Sequence, residues 1–153
     1  MNKILDKLVL FIAQGAYSGR IPIAPGTAGT VVGVLLYLLV RDLSSLWYGA
    51  VCVGVTLLGT WAAGYADCIL RAKDSPSIVI DEIAGFLVAM FLIPFAWGSV
   101  AAGFILFRFF DILKPWPLKR LQDVPGGPGV MLDDIGAGIY TNVILQIVCR
   151  LIE

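Results

Sequence analysis

The chain has 153 residues, of which 59% are apolar and 14% are charged, and its formal net charge is zero. Soluble domains average about 45–50% apolar and about 25% charged residues, so this composition is typical of a protein embedded in a membrane. A neutral chain lacks the basic surface that binds nucleic acid, and the absence of histidine excludes Ser-His-Asp triads, phosphohistidine intermediates and His-ligated zinc.

The first thirty residues predict a surface helix followed by a loop. Residues 4–17, ILDKLVLFIAQGAY, have an amphipathic pattern that favours a helix lying on a membrane surface. Residues 18–30, SGRIPIAPGTAGT, are rich in glycine and proline and are expected to form a structured loop. Thr27, Thr30 and the backbone amides beside them could bind an anion just before a helix. A plain turn with a helix cap is the simpler interpretation.

Four apolar segments separated by polar ones predict an all-α integral membrane bundle of about four or five apolar helices. The segments are 31–40, 46–66, 83–107 and 135–148. Residues 46–66 contain no charge and are long enough to span a bilayer. The length of the chain predicts one domain over residues 1–153.

The segment 83–107 decides the predicted topology, because Pro94 near its middle favours a short hairpin or re-entrant pair over one long helix. With a hairpin, three polar loops face the same side of the membrane. These loops are 18–30, 67–82 and 108–134. Nine Lys and Arg residues then lie on that side, against only Arg41 and Arg150 on the other. The positive-inside rule places the loops in the cytoplasm, whereas one long span would divide the cations almost evenly.

Five carboxylates are predicted to gather at helix ends on this cytoplasmic side. They are Asp81, Glu82, Asp111, Asp133 and Asp134. Four of them form adjacent pairs in apolar sequence, where like charges repel and burial disfavours the charged form. A hard divalent cation would hold such a set together, and oxygen ligands without histidine suit Mg²⁺, or Mn²⁺, better than zinc. Helix capping and helix dipoles are the alternative, but they explain only one acid of each pair.

The stretch RFFDILKPWP, residues 108–117, places cations beside this acidic set. Arg108 and Asp111 share a helix face, and Lys114 follows if the helix continues. Arg108 and Lys114, with Lys73 from the preceding loop, are expected to bind a substrate phosphate. An ion pair that closes the helix end is the alternative, with the cations reaching the interface. With a metal-activated water as nucleophile, the catalytic candidates are Glu82 and Asp111.

Three ordered motifs carry a family resemblance. PIAPGTAGT, KDSPSIVIDEIAGF and FRFFDILKPWP with GGPGVMLDDIGAGIY closely resemble the bacterial phosphatidylglycerophosphatase A family, over about residues 4–149. The resemblance implies an integral inner-membrane, Mg²⁺-dependent phosphatase that converts phosphatidylglycerophosphate to phosphatidylglycerol and phosphate in phospholipid biosynthesis. The family motifs fall on Pro25, Gly26, Thr27 and Gly29, on Asp81 and Glu82, on Arg108, Asp111, Lys114 and Pro115, and on Asp133 and Asp134.

The expected function is therefore that of a multi-pass lipid phosphatase of the bacterial cytoplasmic membrane, with its active site on the cytoplasmic side. Two alternatives stay open. One is a phosphatase of another lipid phosphate, such as phosphatidate. The other is a small transporter or channel, in which membrane carboxylates line a pathway, although the predicted clustering of the acids at one interface counts against it. Water is the expected nucleophile, with a covalent phospho-aspartate as the alternative.

Overall fold

A computed structural model describes residues 3–72 and 75–152. Within these ranges the chain forms seven α-helices and one short 3-10 turn, with no β-strand, which confirms the all-α prediction. The helices are α1 (Lys3–Ala13), α2 (Pro25–Val40), α3 (Ser45–Leu70), α4 (Ile80–Ala89), α5 (Trp97–Leu113), α6 (Leu118–Leu121) and α7 (Gly127–Ile152), and the 3-10 turn is Ser18–Arg20.

The outer surface of the bundle is apolar. Leu39, Leu46 and Leu151 are each about four-fifths exposed (81%, 78% and 80%), and many other large apolar side chains also face outward. Among the described residues, α3 and α7 are long and apolar enough to cross a membrane, and α2 is a shorter apolar helix. These features support a membrane bundle, while four or five apolar helices in the membrane stay a prediction.

Helix α4 forms the centre of the bundle and is surrounded by α2, α3, α5 and α7. Eight of its ten residues are buried. Phe86 packs edge-on against the rings of Tyr37 and Phe107, which join α2 and α5 to this core. Glycines let α4 and α7 approach closely, since a Cβ atom at Gly138 would collide with the carbonyl oxygen of Gly85. This close contact places the first turn of α4 beside α7.

The structure breaks the long apolar segment 83–107 into two helices, as predicted. Helix α4 ends at Ala89 and α5 begins at Trp97, with Pro94 in the connection between them. Proline lacks a backbone donor and clashes with a preceding helical turn, so the helix cannot run through it unchanged. With ten residues, α4 is about 15 Å long, roughly half the thickness of a bilayer's hydrocarbon core.

Two helices begin earlier than the sequence predicted. Helix α2 starts at Pro25, inside the segment 18–30 that was expected to be a loop, because proline is well suited to the first helical turn. Helix α7 starts at Gly127, so Asp133 and Asp134 lie in its second turn rather than at a helix start. Capping and the helix dipole act on the first turn and therefore do not account for this acidic pair.

Candidate active site

One cavity of about 430 Å³ collects the predicted site residues at one end of the bundle. The start of α2, the segment before α4, the end of α5 and the second turn of α7 each contribute to its wall. Its lining consists of Ala24, Pro25, Gly26, Ser75, Pro76, Ile78, Asp81, Glu82, Arg108, Asp111, Ile112, Lys114, Asp133 and Asp134. The structure therefore brings all five predicted carboxylates and two of the three predicted cations into one cavity.

Arg108 links two of the carboxylates. Its Nη1 donates to Asp111 Oδ2 at 2.5 Å and lies 3.7 Å from Glu82 Oε1. The first of these pairs confirms that Arg108 and Asp111 share a helix face, one turn apart on α5. The planar guanidinium carries several N–H donors and can contact more than one carboxylate. Arg108 therefore links the last turn of α5 to the first turn of α4.

Lys114 links α5 to α7. It follows the last residue of α5 in a left-handed backbone conformation, with φ of 42°, so the helix does not continue through it. Its Nζ donates to Asp133 Oδ2 and lies 3.9 Å from Asp111 Oδ1. The two cations are therefore committed chiefly to Asp111 and Asp133.

Other carboxylate oxygens in the cavity are left without a partner. Single oxygens of Asp81, Glu82, Asp133 and Asp134 are buried without a hydrogen-bond partner among the described residues. Oxygens of Asp81, Glu82 and Asp134 all lie within 4.8 Å of one another. Buried, unpaired carboxylate oxygens are costly, and a hard divalent cation has the charge and the oxygen preference to satisfy them. The donor set is therefore compatible with a divalent metal ion.

Burial changes the proton affinity of the acids at the start of α4. Burial raises the pKa of Asp81 well above its ordinary value, and the neighbouring charges of Glu82 and Asp134 raise it further. Burial also raises the pKa of Glu82, although its hydrogen bond with Asp81 and the charge of Arg108 act in the opposite direction. Protons and a metal ion therefore compete for these two carboxylates.

The other residues predicted to bind phosphate occupy different positions. The Thr30 hydroxyl is buried and donates to the Gly26 carbonyl oxygen at 2.9 Å, one turn back along α2. Neither Thr27 nor Thr30 lines the cavity. Lys73 lies outside the described residues. Gly26 does line the cavity, and a Cβ atom there would overlap Glu82 Oε1, so the start of α2 lies directly against the acidic cluster.

Sequence reasoning missed a support for the segment that leads into α4. The buried Gln14 side chain donates to Ser77 Oγ at 3.1 Å and accepts from Arg20 Nε at 2.7 Å. The backbone N–H of Val79 donates to the carbonyl oxygen of Ala13 at 2.9 Å. The end of the amphipathic segment thus fixes residues 75–79, which form part of the cavity wall. The sequence signal that could have revealed this support is Gln14, a polar residue near the end of the amphipathic pattern.

These features outline a class of protein: a helical bundle with a cavity whose clustered carboxylates are compatible with a divalent metal ion. The more specific assignment comes from a family comparison. The chain belongs to the phosphatidylglycerophosphatase A family, whose model matches residues 11–149. It is therefore an enzyme, a phosphatase.

Relatives match the chain over most of their own lengths. A phosphatidylglycerophosphatase A from Haemophilus influenzae is 38% identical and covers 94% of this chain and 93% of its own. The protein of the same name from Escherichia coli is 34% identical and covers 90% and 81%. A relative from Bacteroides thetaiotaomicron is 35% identical, covers 92% of both chains, and carries the provisional name phosphatidylinositol-3-phosphatase. No solved structure matches the chain significantly.

Proposed function

We propose that the protein is a Mg²⁺-dependent lipid phosphatase that hydrolyses phosphatidylglycerophosphate to phosphatidylglycerol and inorganic phosphate. One observation carries the proposal: unpaired, buried carboxylate oxygens lie in the same cavity as Arg108 and Lys114. Metal-assisted phosphate hydrolysis needs both kinds of group, one to hold the ion and the other to hold the phosphate. Membership of the phosphatidylglycerophosphatase A family supports the choice of substrate.

Asp81, Glu82 and Asp134 are the residues best placed to hold the ion. A bound Mg²⁺ would supply positive charge for the phosphate and would lower the pKa of a water molecule. Asp111 and Asp133 were also predicted as ligands, but their closest partners are Arg108 and Lys114. We therefore assign them to holding these two cations in place, with the free Oδ1 of Asp133 still available to the site.

The protein's own groups can carry out the rest of the reaction. Arg108 and Lys114 bind the oxygens of the phosphate monoester. Glu82, through the carboxylate oxygen that does not hold the ion, takes a proton from the attacking water as the water oxygen bonds to phosphorus. The bond from phosphorus to the glycerol oxygen breaks, and that oxygen acquires a proton from solvent. The products are inorganic phosphate and the lipid alcohol.

The substrate's tails are expected to stay in the bilayer while its headgroup enters the cavity. Ile112 belongs to the cavity wall and is 73% exposed, so an apolar surface continues directly from the site. The excess of Lys and Arg in the loops on this side supports a site at the cytoplasmic face of a bacterial cytoplasmic membrane, in a multi-pass protein.

A second candidate substrate is a phosphoinositide, because the relative from Bacteroides thetaiotaomicron carries the name of a phosphatidylinositol-3-phosphatase. The purified protein should be assayed for phosphate release from phosphatidylglycerophosphate, phosphatidylinositol 3-phosphate and phosphatidate, each in mixed micelles. The fastest release is expected from phosphatidylglycerophosphate. Faster release from either other lipid would overturn the substrate proposal and leave the phosphatase assignment intact.

The metal proposal is tested in the same assay. EDTA should abolish phosphate release, and added Mg²⁺ should restore it. Asp81→Asn and Asp134→Asn should each lower kcat/KM by roughly a thousandfold or more, because each removes a ligand charge from the site. Asp42→Asn is the matched control, since Asp42 is exposed at the far end of α2. Activity that survives EDTA and both site variants would refute the metal site.

A further inference from the structure

Helix α4 ends inside the bundle, and each of its last four carbonyl oxygens accepts a hydrogen bond. A helix end leaves four carbonyls without donors from the helix, and unpaired carbonyls are costly in an apolar interior. The backbone supplies two donors: the N–H groups of Met90 and Phe91 donate to the carbonyl oxygens of Phe86 and Val88, each at 3.2 Å. The other two donors come from neighbouring helices.

Two polar side chains supply the remaining hydrogen bonds. The Tyr48 hydroxyl, on α3, donates to the Leu87 carbonyl oxygen at 2.8 Å. The Asn142 side-chain amide, on α7, donates to the carbonyl oxygens of Ala89 at 3.0 Å and Phe91 at 2.7 Å. Asn142 therefore joins the last residue of α4 to the connection that follows it.

A hydrogen bond to the oxygen of the Asn142 amide fixes the orientation of this side chain. Gln146, one turn further along α7, donates its side-chain amide to Asn142 Oδ1 at 2.8 Å. With its oxygen accepting from Gln146, the NH₂ group of Asn142 must face α4. Asn142 does not line the active-site cavity, and it lies eight residues after Asp134, about 12 Å along the helix.

We infer that Asn142 is a positioning residue: it fixes the position of α4 relative to α7 and thereby places Asp81 and Glu82 for the metal ion. This inference rests on the proposed function. Helix α4 is one short unit with the two acids in its first turn, and Asn142 holds its other end. Helix α7 carries both Asn142 and Asp134, so a fixed contact at one end of α4 sets the distance between carboxylates at the other.

The spacing of the carboxylates makes this contact consequential. The three oxygens of Asp81, Glu82 and Asp134 lie within 4.8 Å of one another, and divalent ions bind oxygens at about 2.0–2.6 Å. A slip of α4 by even one ångström would change the distances between ligands that α4 and α7 contribute separately. Tyr48 acts on the same helix end through a single hydrogen bond, so its contribution is expected to be smaller.

The test measures Mn²⁺ binding to the full-length protein in detergent by electron paramagnetic resonance, with thermal unfolding recorded in parallel. Asn142→Leu should raise the dissociation constant of Mn²⁺ roughly tenfold, within the range seen when groups that support metal ligands are removed. Tyr48→Phe, which removes one oxygen atom and preserves the ring, should raise it less. If Asn142→Leu does not fold, Tyr48→Phe carries the test alone.

Leu145→Ala is the matched control, because Leu145 is buried on the same helix and packs beside Gly103 of α5, and its apolar side chain donates no hydrogen bond to the end of α4. It should lower the unfolding temperature while the Mn²⁺ affinity stays at the wild-type value. Wild-type affinity in the folded Asn142→Leu and Tyr48→Phe proteins, or an equal loss in Leu145→Ala, would overturn the inference and leave the metal site standing. A wild-type protein that binds no Mn²⁺ would overturn both.

Discussion

Each carboxylate of the site has a role set by its immediate neighbours. Asp111 and Asp133 each accept a hydrogen bond from a cation, whereas Asp81 and Asp134 have buried oxygens without a partner. Paired carboxylates are stabilised where they are, while unpaired ones in the same cavity attract a cation from solution. The difference between these two kinds of acid depends on which side chains the fold brings near, and residue type alone does not determine it.

Gly26 should be essential because of its position against the acidic cluster. A methyl group there would overlap Glu82 Oε1 and approach both terminal nitrogens of Arg108 to 3.0 Å. Gly26→Ala should therefore displace these groups and lower kcat/KM by about a hundredfold, the effect expected of a small misplacement in an active site. The measurement is phosphate release from phosphatidylglycerophosphate under saturating Mg²⁺.

The control for this variant is Gly98→Ala, near the start of α5, where an added Cβ atom would meet nothing within 4 Å. Activity should stay at the wild-type level, and the unfolding temperature should rise slightly because alanine favours helix over glycine. Equal activity in Gly26→Ala and Gly98→Ala would show that the start of α2 has no close contact with the catalytic groups.

Arg108→Lys should lower kcat/KM by roughly 10- to 100-fold although it preserves the charge. A guanidinium can contact Asp111, Glu82 and a phosphate oxygen together, whereas an ammonium is a compact point charge on a flexible stem. Arg120→Lys makes the same chemical change at an exposed position on α6 and should leave the activity unchanged. Similar kinetics for Arg108→Lys and Arg120→Lys would show that the activity does not depend on simultaneous contacts of the Arg108 guanidinium.

At the scale of helices, local sequence predicted the break in 83–107 but not the start of α7. Pro94 acts on the turn that precedes it, so its effect can be predicted from neighbouring residues. Gly127, in contrast, lies against α3, where a Cβ atom would collide with the Thr60 carbonyl oxygen. Glycine at position 127 therefore lets α7 pack closely against α3 and does not mark a loop. Nothing nearby in sequence distinguishes these two uses of glycine.

The site itself could be predicted in outline because charge placement restricts topology. A hairpin at 83–107 was the arrangement that gathered most Lys and Arg residues on one side, and the structure brings the ends of the same loops to one cavity. The pairing of Lys114 with Asp133 could not be predicted, since it depends on the left-handed turn at Lys114 and on the early start of α7.

Cysteine labelling tests this arrangement in the membrane. In a variant without Cys52, Cys68 and Cys149, single cysteines at positions 75 and 125 should react with a membrane-impermeant maleimide from the same side. A cysteine at position 44, between α2 and α3, should react from the opposite side. The labelling is compared between intact cells and inverted membrane vesicles. Labelling of positions 75 and 125 from opposite sides would exclude the hairpin and a cytoplasmic site built from both loops.

Across the whole molecule, a neutral chain concentrates its buried charge at one end. The chain carries as many cations as acids in total, yet among the described residues five carboxylates and two cations line the active-site cavity. Without metal, the carboxylates of the site repel one another, and the apolar core and the close helix contacts must hold them together. A bound divalent ion should consequently stabilise the whole fold as well as the reaction.

This coupling predicts how stability depends on pH and metal. Burial raises the pKa of Asp81 and Glu82 in the folded protein above the ordinary carboxyl value of about 4 in the unfolded chain. The folded state thus binds protons more tightly, and that contribution to stability is complete below about pH 4 and lost as the pH rises through the folded pKa values.

In EDTA, the unfolding temperature in detergent should fall from about pH 5 to about pH 8. Mg²⁺ binds the deprotonated carboxylates, so the increase in unfolding temperature on adding Mg²⁺ should be larger at pH 8. Asp81→Asn should reduce both effects, and a Mg²⁺ effect of equal size at both pH values would contradict the coupling.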